Sequence, residues 1–218
     1  MNVLISETKL PVEVSIIWMH GLGADASDMA GLANELMLSD IAIRHIFMNA
    51  PIRPVTLNSG MSMPAWYDIV GVKLTDREDK KGIENSHQLI QTLIDEQIAT
   101  GLKPEQIYLA GFSQGGAMAL YTGLQQVKLG GIIALSAYLP LSSEIKASLT
   151  KDTPFFIAGG LFDPIVSPAW TKLSVNWLEA SSFSALSVHQ YPMEHSVCQQ
   201  ELVDLANWLK LHIAGRLK

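Results

Sequence analysis

Ile107-Tyr108-Leu109-Ala110-Gly111-Phe112-Ser113-Gln114-Gly115-Gly116-Ala117-Met118-Ala119-Leu120 decides the fold. An apolar strand runs into Gly111-Phe112-Ser113-Gln114-Gly115, and a helix of small residues runs straight out. A serine at such a turn is forced into strained backbone geometry, so its hydroxyl projects above the sheet. Glycine on each side keeps strand and helix from colliding. The Gln114 N–H then points from the helix start into the space the hydroxyl faces, with the helix dipole behind it. Ser113 is therefore the candidate nucleophile and Gln114 a candidate backbone donor to an oxyanion.

Working outward, short apolar runs recur at Val14–Met19 and at residues 43–49, 132–137, 155–158 and 187–191. Most are continuously apolar, the pattern of strands covered on both faces. Between them lie helical periods. Ile83, His87, Ile90, Ile94 and Ile98 line one predicted helix face, and Cys198, Leu202, Leu205, Leu209 and Ile213 line another. Ser167-Pro168 reads as an N-cap with proline at the first helical position, and Ser196 with Gln199 as a capping box. Gly101 is placed to end the helix that starts near Ile83. The expectation is one α/β domain over residues 1–218, a mostly parallel sheet with helices on both faces and no large separate lid.

Sites in such sheets gather at the C-terminal ends of the strands. The first apolar run ends in His20-Gly21-Leu22-Gly23, and the Leu22 N–H is the candidate second oxyanion donor. His20 precedes the serine and reads as a loop anchor. Asp163, held by Pro164, follows the run at 155–158. His195 follows the run at 187–191 and stands just before a helix. His45, His87, His189 and His212 need only packing roles. Ser113, Asp163 and His195, in that order and each after a different strand, carry the chemistry of nucleophilic acyl transfer.

Composition narrows the function classes. Fifteen Lys and Arg against 21 Asp and Glu give a net charge of −6. That excludes the basic stripe a nucleic-acid binder needs and disfavours adhesion to anionic membranes. An apolar fraction of 48% with 17% charged residues excludes a disordered chain. A single cysteine, Cys198, builds neither an internal disulfide nor a zinc cage, so no metal is expected. No apolar run reaches the ~18 residues of a membrane span, and the N-terminus lacks a secretory signal. A cytoplasmic location is expected.

Residues 51–81 differ from the rest, being rich in Pro, Gly, Ser and Met and then in charges of alternating sign. They read as a long functional loop, its charged end at 75–81 solvated. Its apolar cluster must pack on the body or line a site. Met61, Met63 and Trp66 are the candidate substrate contacts within a groove wall at 57–72, with core anchoring the alternative role for Trp66 and Tyr67.

Together these motifs resemble the acyl-protein thioesterase and phospholipase/carboxylesterase family of α/β-hydrolases. The resemblance rests on His20-Gly21-Leu22-Gly23, Asn49-Ala50-Pro51, Met63-Pro64-Ala65-Trp66-Tyr67-Asp68, Gly111 to Leu120, Leu135-Ser136-Ala137-Tyr138-Leu139-Pro140, Asp163-Pro164 and His195-Ser196. It implies the α/β-hydrolase fold and a serine carboxylesterase or thioesterase with a Ser113, Asp163, His195 triad. It implies an oxyanion hole from Leu22 and Gln114, no cofactor, and a homodimer. Expected substrates are small acyl esters or thioesters, lipids or acylated proteins. Lysophospholipase activity and a non-catalytic binding relative are the alternatives. Two positions depart from the family pattern. Ala158-Gly159-Gly160-Leu161-Phe162 stands where His-Gly is usual before the Asp turn, and Glu194 stands where Gly tends to precede the catalytic His.

Overall fold

The computed structural model describes residues 2–71 and 77–214. Val72, the end of the expected groove wall, and the first two residues of the charged run at 75–81 lie outside them.

Four of the apolar runs form the strands β2 (Val14–Met19), β3 (Ile43–Met48), β6 (Ile107–Phe112) and β7 (Gly131–Leu135). β8 (Phe155–Gly160) and β9 (Leu186–Tyr191) complete the parallel set, and β1 (Val3–Glu7) pairs antiparallel with β3. The seven-stranded sheet runs β1-β3-β2-β6-β7-β8-β9. The mostly parallel expectation holds. The antiparallel edge strand went unread because β1 is short and largely exposed, with no continuous apolar run to mark it.

Alternate residues of each strand feed two cores. Ile17 and Met19 of β2 face the helices α2 (Lys80–Ala99), α3 (Gln114–Leu124) and α4 (Pro168–Ala180). Val14, Ile16 and Trp18 face α1 (Ala26–Glu35) and α5 (Gln199–Ala214). Helices therefore cover both faces, as the unbroken apolar strands require. None of the described helices is long and apolar enough to cross a membrane.

Helix ends follow local chemistry. Asp25 and Asp28 form a capping box at the start of α1, a signal the sequence carried in a shorter acid than the usual Glu. Gly101, at φ 100°, follows the last turn of α2 as expected. Pro168 opens α4, but the Ser167 hydroxyl makes no cap bond. α5 starts at Gln199, so Ser196 stands too early to cap it. In α2, Ile83, Ile90 and Ile94 are buried, whereas Ile98 is 40% exposed. Two successive steps of four over-rotate on a 3.6-residue turn, and Gln97 turns inward instead, accepting from Arg44.

The loop after β3 holds a small hairpin, β4 (Ile52–Val55) with β5 (Met61–Pro64). Its charged end is structural rather than merely solvated. Asp79 caps α2 through the Gly82 N–H and accepts from the Asp68 N–H. The half-buried Glu78 accepts from the Leu141 N–H, and burial raises its carboxyl pKa.

Two buried titratable groups set opposing pH dependences. His45 Nδ1 accepts from the Trp18 indole N–H at 3.0 Å, and burial pushes its pKa from 6.5 down to about 4. This contribution to stability is present above pH 6.5 and is lost as the pH falls through 4. Glu201, in the first turn of α5, is fully buried with neither carboxylate oxygen in hydrogen-bond geometry among the described residues. Burial pushes it from 4.5 up to about 7, against partial relief from the Cys198 N–H. Its contribution is present below pH 4.5 and is lost as the pH rises through 7. Each displacement corresponds to about 3 kcal/mol at ~1.36 kcal/mol per pH unit. In urea titrations, wild type should lose about 3 kcal/mol of its advantage over His45→Gln between pH 7 and pH 4. Glu201→Gln should gain about as much on wild type between pH 4.5 and pH 7.5. A pH-independent offset for either variant rules out its buried titration.

Candidate active site

Ser113 occupies the turn between β6 and α3 at φ 53°, ψ −118°. A non-glycine residue held there stores strain of ~1–3 kcal/mol. The turn is possible because Gly111 and Gly115, two residues to either side, have no side chains. A Cβ on Gly111 would lie 2.3 Å from the Gly115 carbonyl, and one on Gly115 would lie 2.1 Å from the Met19 carbonyl oxygen.

Three strand ends converge on this hydroxyl. His195 Nε2 lies 2.9 Å from Ser113 Oγ, and His195 Nδ1 lies 2.7 Å from Asp163 Oδ2. The other oxygen of Asp163 accepts from the Ile165 and Val166 N–H groups, both at 2.8 Å. The carboxylate is therefore fixed by its own turn and 4% exposed. An ionised carboxylate only accepts, so Nδ1 carries the imidazole proton and Nε2 is left to accept from the serine. The Phe112 ring packs on the imidazole with centroids 4.8 Å apart. Ser113, Asp163 and His195 thus meet as the sequence order suggested. The Glu194 side chain is exposed to solvent beside them.

A cavity of about 330 Å³ opens over Ser113, with Leu22 and Gln114 in its lining. As the first residue of α3, Gln114 has no intrahelical acceptor for its N–H. The walls are mostly apolar: Leu57, Ile69, Ile165 and Val166 with the rings of Tyr67 and Tyr138.

The groove-wall residues need correction. Met61, Met63 and Trp66 do not line this cavity. Hairpin pairing sets Met61 opposite Val55 and leaves it 66% exposed. Met63 meets the Asn58 amide through its sulfur at 3.2 Å. Trp66 is fully buried, because its indole N–H finds an acceptor in the core, the His20 carbonyl at 2.8 Å. The same loop instead offers Leu57, Tyr67 and Ile69. The stretch was legible as a wall, but which side chains face the site depended on a hairpin that carries no alternating pattern.

His20 is the anchor its position suggested. Its Nε2 accepts from the Ala50 N–H at 3.0 Å, and Nδ1–H donates to the Gly21 carbonyl. Burial lowers its pKa, keeping it neutral with one donor and one acceptor nitrogen. Sequence reasoning missed the Gln114 side chain. Its Oε1 accepts from the Trp66 N–H at 2.8 Å and its Nε2 donates to the Tyr67 carbonyl at 2.7 Å. Among the described residues no group of three His, Cys, Asp or Glu is placed to hold a metal ion.

The mostly parallel sheet with helices on both faces is that of an α/β-hydrolase, and at its strand ends Ser113, His195 and Asp163 stand in one hydrogen-bonded row. Comparison with known proteins narrows this class. The chain belongs to the phospholipase/carboxylesterase family, whose model matches residues 1–213. It is 37% identical to acyl-protein thioesterase 1 of Emericella nidulans over 89% of this chain and 88% of that one. It is 38% identical to the Aspergillus fumigatus protein of the same name, over 90% and 86%. The crystal structure of Arabidopsis thaliana SOBER1 superimposes with a TM-score of 0.85 at 30% identity, covering 94% of this chain and 99% of that one.

Gln114→Met keeps the side chain's length but leaves the Trp66 N–H and the Tyr67 carbonyl unpaired in the core. Each unpaired group costs ~1–3 kcal/mol. Urea unfolding should show a loss of about 2–4 kcal/mol. An unchanged midpoint means the pair finds other partners.

Proposed function

We propose that this protein hydrolyses carboxylic esters and thioesters of apolar acyl groups through an acyl-enzyme on Ser113. The single observation that carries the reading is the Ser113–His195–Asp163 row, at 2.9 and 2.7 Å, with Ser113 and His195 in the lining of a mostly apolar cavity.

In this mechanism His195 Nε2 takes the Ser113 proton as the oxygen attacks the acyl carbonyl. The electron pair moves onto the carbonyl oxygen, where the Leu22 and Gln114 N–H groups stabilise it. Their alignment before the reaction supplies the stabilisation without reorganisation. The imidazolium gives its proton to the leaving alcohol or thiol as the tetrahedral species collapses. Water, deprotonated by His195, then attacks the acyl-enzyme, and Ser113 leaves with the proton restored. Asp163 holds the imidazole in the tautomer that accepts at Nε2 and stabilises the imidazolium.

The apolar walls suit an acyl chain rather than a sugar or a phosphate. Relatives that carry the name acyl-protein thioesterase support acylated proteins or lipids as the source of the bond. Esters and thioesters of the same acyl group share this machinery, because both present a carbonyl to Ser113 and release a group that His195 can protonate.

Ser113→Ala should fold normally, lose p-nitrophenyl ester hydrolysis, and fail to take a fluorophosphonate label. Residual catalysis, of order 10³-fold over water, would come from binding and the oxyanion donors. Near-normal turnover by the folded variant ends this reading. A wild type that takes neither substrate nor label would instead be a binding protein on the same fold.

Leu22→Pro removes the backbone N–H that Leu22→Ala keeps. Losing one oxyanion donor costs ~10²–10³-fold in turnover. Proline should therefore reduce kcat far more than alanine, with circular dichroism showing both folded. Equal, mild effects would place the second donor elsewhere.

A further inference from the structure

Tyr138 stands in the segment that leaves the C-terminal end of β7, next to the serine strand in the sheet. It is 3% exposed. It lines the cavity over Ser113 and also a second cavity of about 370 Å³. Among the described residues Tyr138 is common to both linings. The second cavity is walled chiefly by Leu139 and by Trp170, Leu173 and Trp177 of α4. Two observations fix the ring between the two spaces. Its hydroxyl lies 3.2 Å from the Tyr67 hydroxyl, and its centroid lies 6.4 Å from that of Trp170. Burial raises the pKa of both tyrosines, so both stay neutral and share a hydrogen bond.

We propose that the Tyr138 ring is the partition that ends the acyl site and sets the longest chain it takes, and that the cavity behind it, a groove partly open to solvent where Leu173 is 62% exposed, is an extension of the same site. Resting on the esterase reading, this deepens it by naming the residue that selects acyl length. The occupant of the second cavity is the distal part of an alkyl chain. Its larger wall residues are apolar and aromatic, with Ser142, Ser174 and Asn176 among the rest, and the residue it shares with the reaction cavity is this ring. Each methylene moved from water into an apolar site gains about fourfold in kcat/KM, so a chain halted by the ring forgoes that gain for every further carbon.

The test compares kcat/KM for p-nitrophenyl butyrate, octanoate, dodecanoate and palmitate. Wild type should gain with length up to a limit and then level off or fall. Tyr138→Ala should move that limit to longer chains, raising the dodecanoate-to-butyrate ratio by about tenfold or more. Adding Leu173→Trp, which fills the second cavity from α4, should bring the ratio back down. A folded Tyr138→Ala protein that takes a fluorophosphonate at Ser113 yet keeps the wild-type ratio within about twofold overturns the proposal. So does a raised ratio that Leu173→Trp leaves untouched. Should the alanine variant fail to fold, Tyr138→Leu keeps apolar bulk while removing the ring, and the same ratio decides. Failure of the esterase reading is distinct, because wild type would then cleave no ester of any length and take no label.

Discussion

Everything in this molecule depends on how closely α3 lies against the sheet. Between Gly111 and Gly115 the backbone of the helix approaches that of β6 and of the β2 end to distances no side chain would tolerate. That approach puts Ser113 at positive φ, with its hydroxyl above the strand ends and the Gln114 N–H beside it. The strain is offset by burial: all 11 residues of α3 are buried. The helix is thus fixed from every side, and the serine has no unstrained alternative that keeps the core closed. A strained backbone persists only where its surroundings over-determine it.

The second requirement is a rigid wall made from a segment with little regular structure. Hydrogen bonds between backbone and buried side chains supply it. Gln114 reaches from the serine turn to Trp66 and Tyr67, and the Trp66 indole reaches His20. His20 accepts from Ala50, and the Ser86 hydroxyl of α2 donates to the Trp66 carbonyl. An unpaired polar group in such a place costs more than a made hydrogen bond gains. The chain is therefore held by the penalty for breaking it. One residue, Gln114, serves twice: its backbone opens α3 directly after Ser113 and its side chain clamps the cavity wall at Trp66 and Tyr67. The serine turn and the cavity wall cannot shift independently.

Asp163 shows the same economy on the opposite side of the site. Two backbone N–H groups of its own turn occupy one oxygen, leaving the other for the imidazole. The turn that buries the acid also brings Ile165 and Val166 into the cavity wall. The orientation of the Asp163 carboxylate and the apolar lining of the cavity are built from the same few residues.

By itself the sequence determined the parallel core, the serine turn and the order of the three polar residues. Each of these is written locally: unbroken apolar runs mark doubly covered strands, and glycines mark a close approach of backbone. An acid and a histidine placed just past strand ends arrive at one edge because all parallel strands end there. The sequence also marked residues 57–72 as wall material, since so many apolar side chains outside any helix or strand pattern must be covered. Tertiary structure alone decided which of them face the site. Met61 turned outward on a hairpin whose pairing no alternation announced, and Trp66 went to the core because its indole N–H needed an acceptor 46 residues away. Leu57, Tyr67 and Tyr138 became the walls through contacts between distant segments. Local pattern fixes which face of an element is apolar. The partner that face meets is set by the packing of the whole chain, and a cavity consists of such meetings.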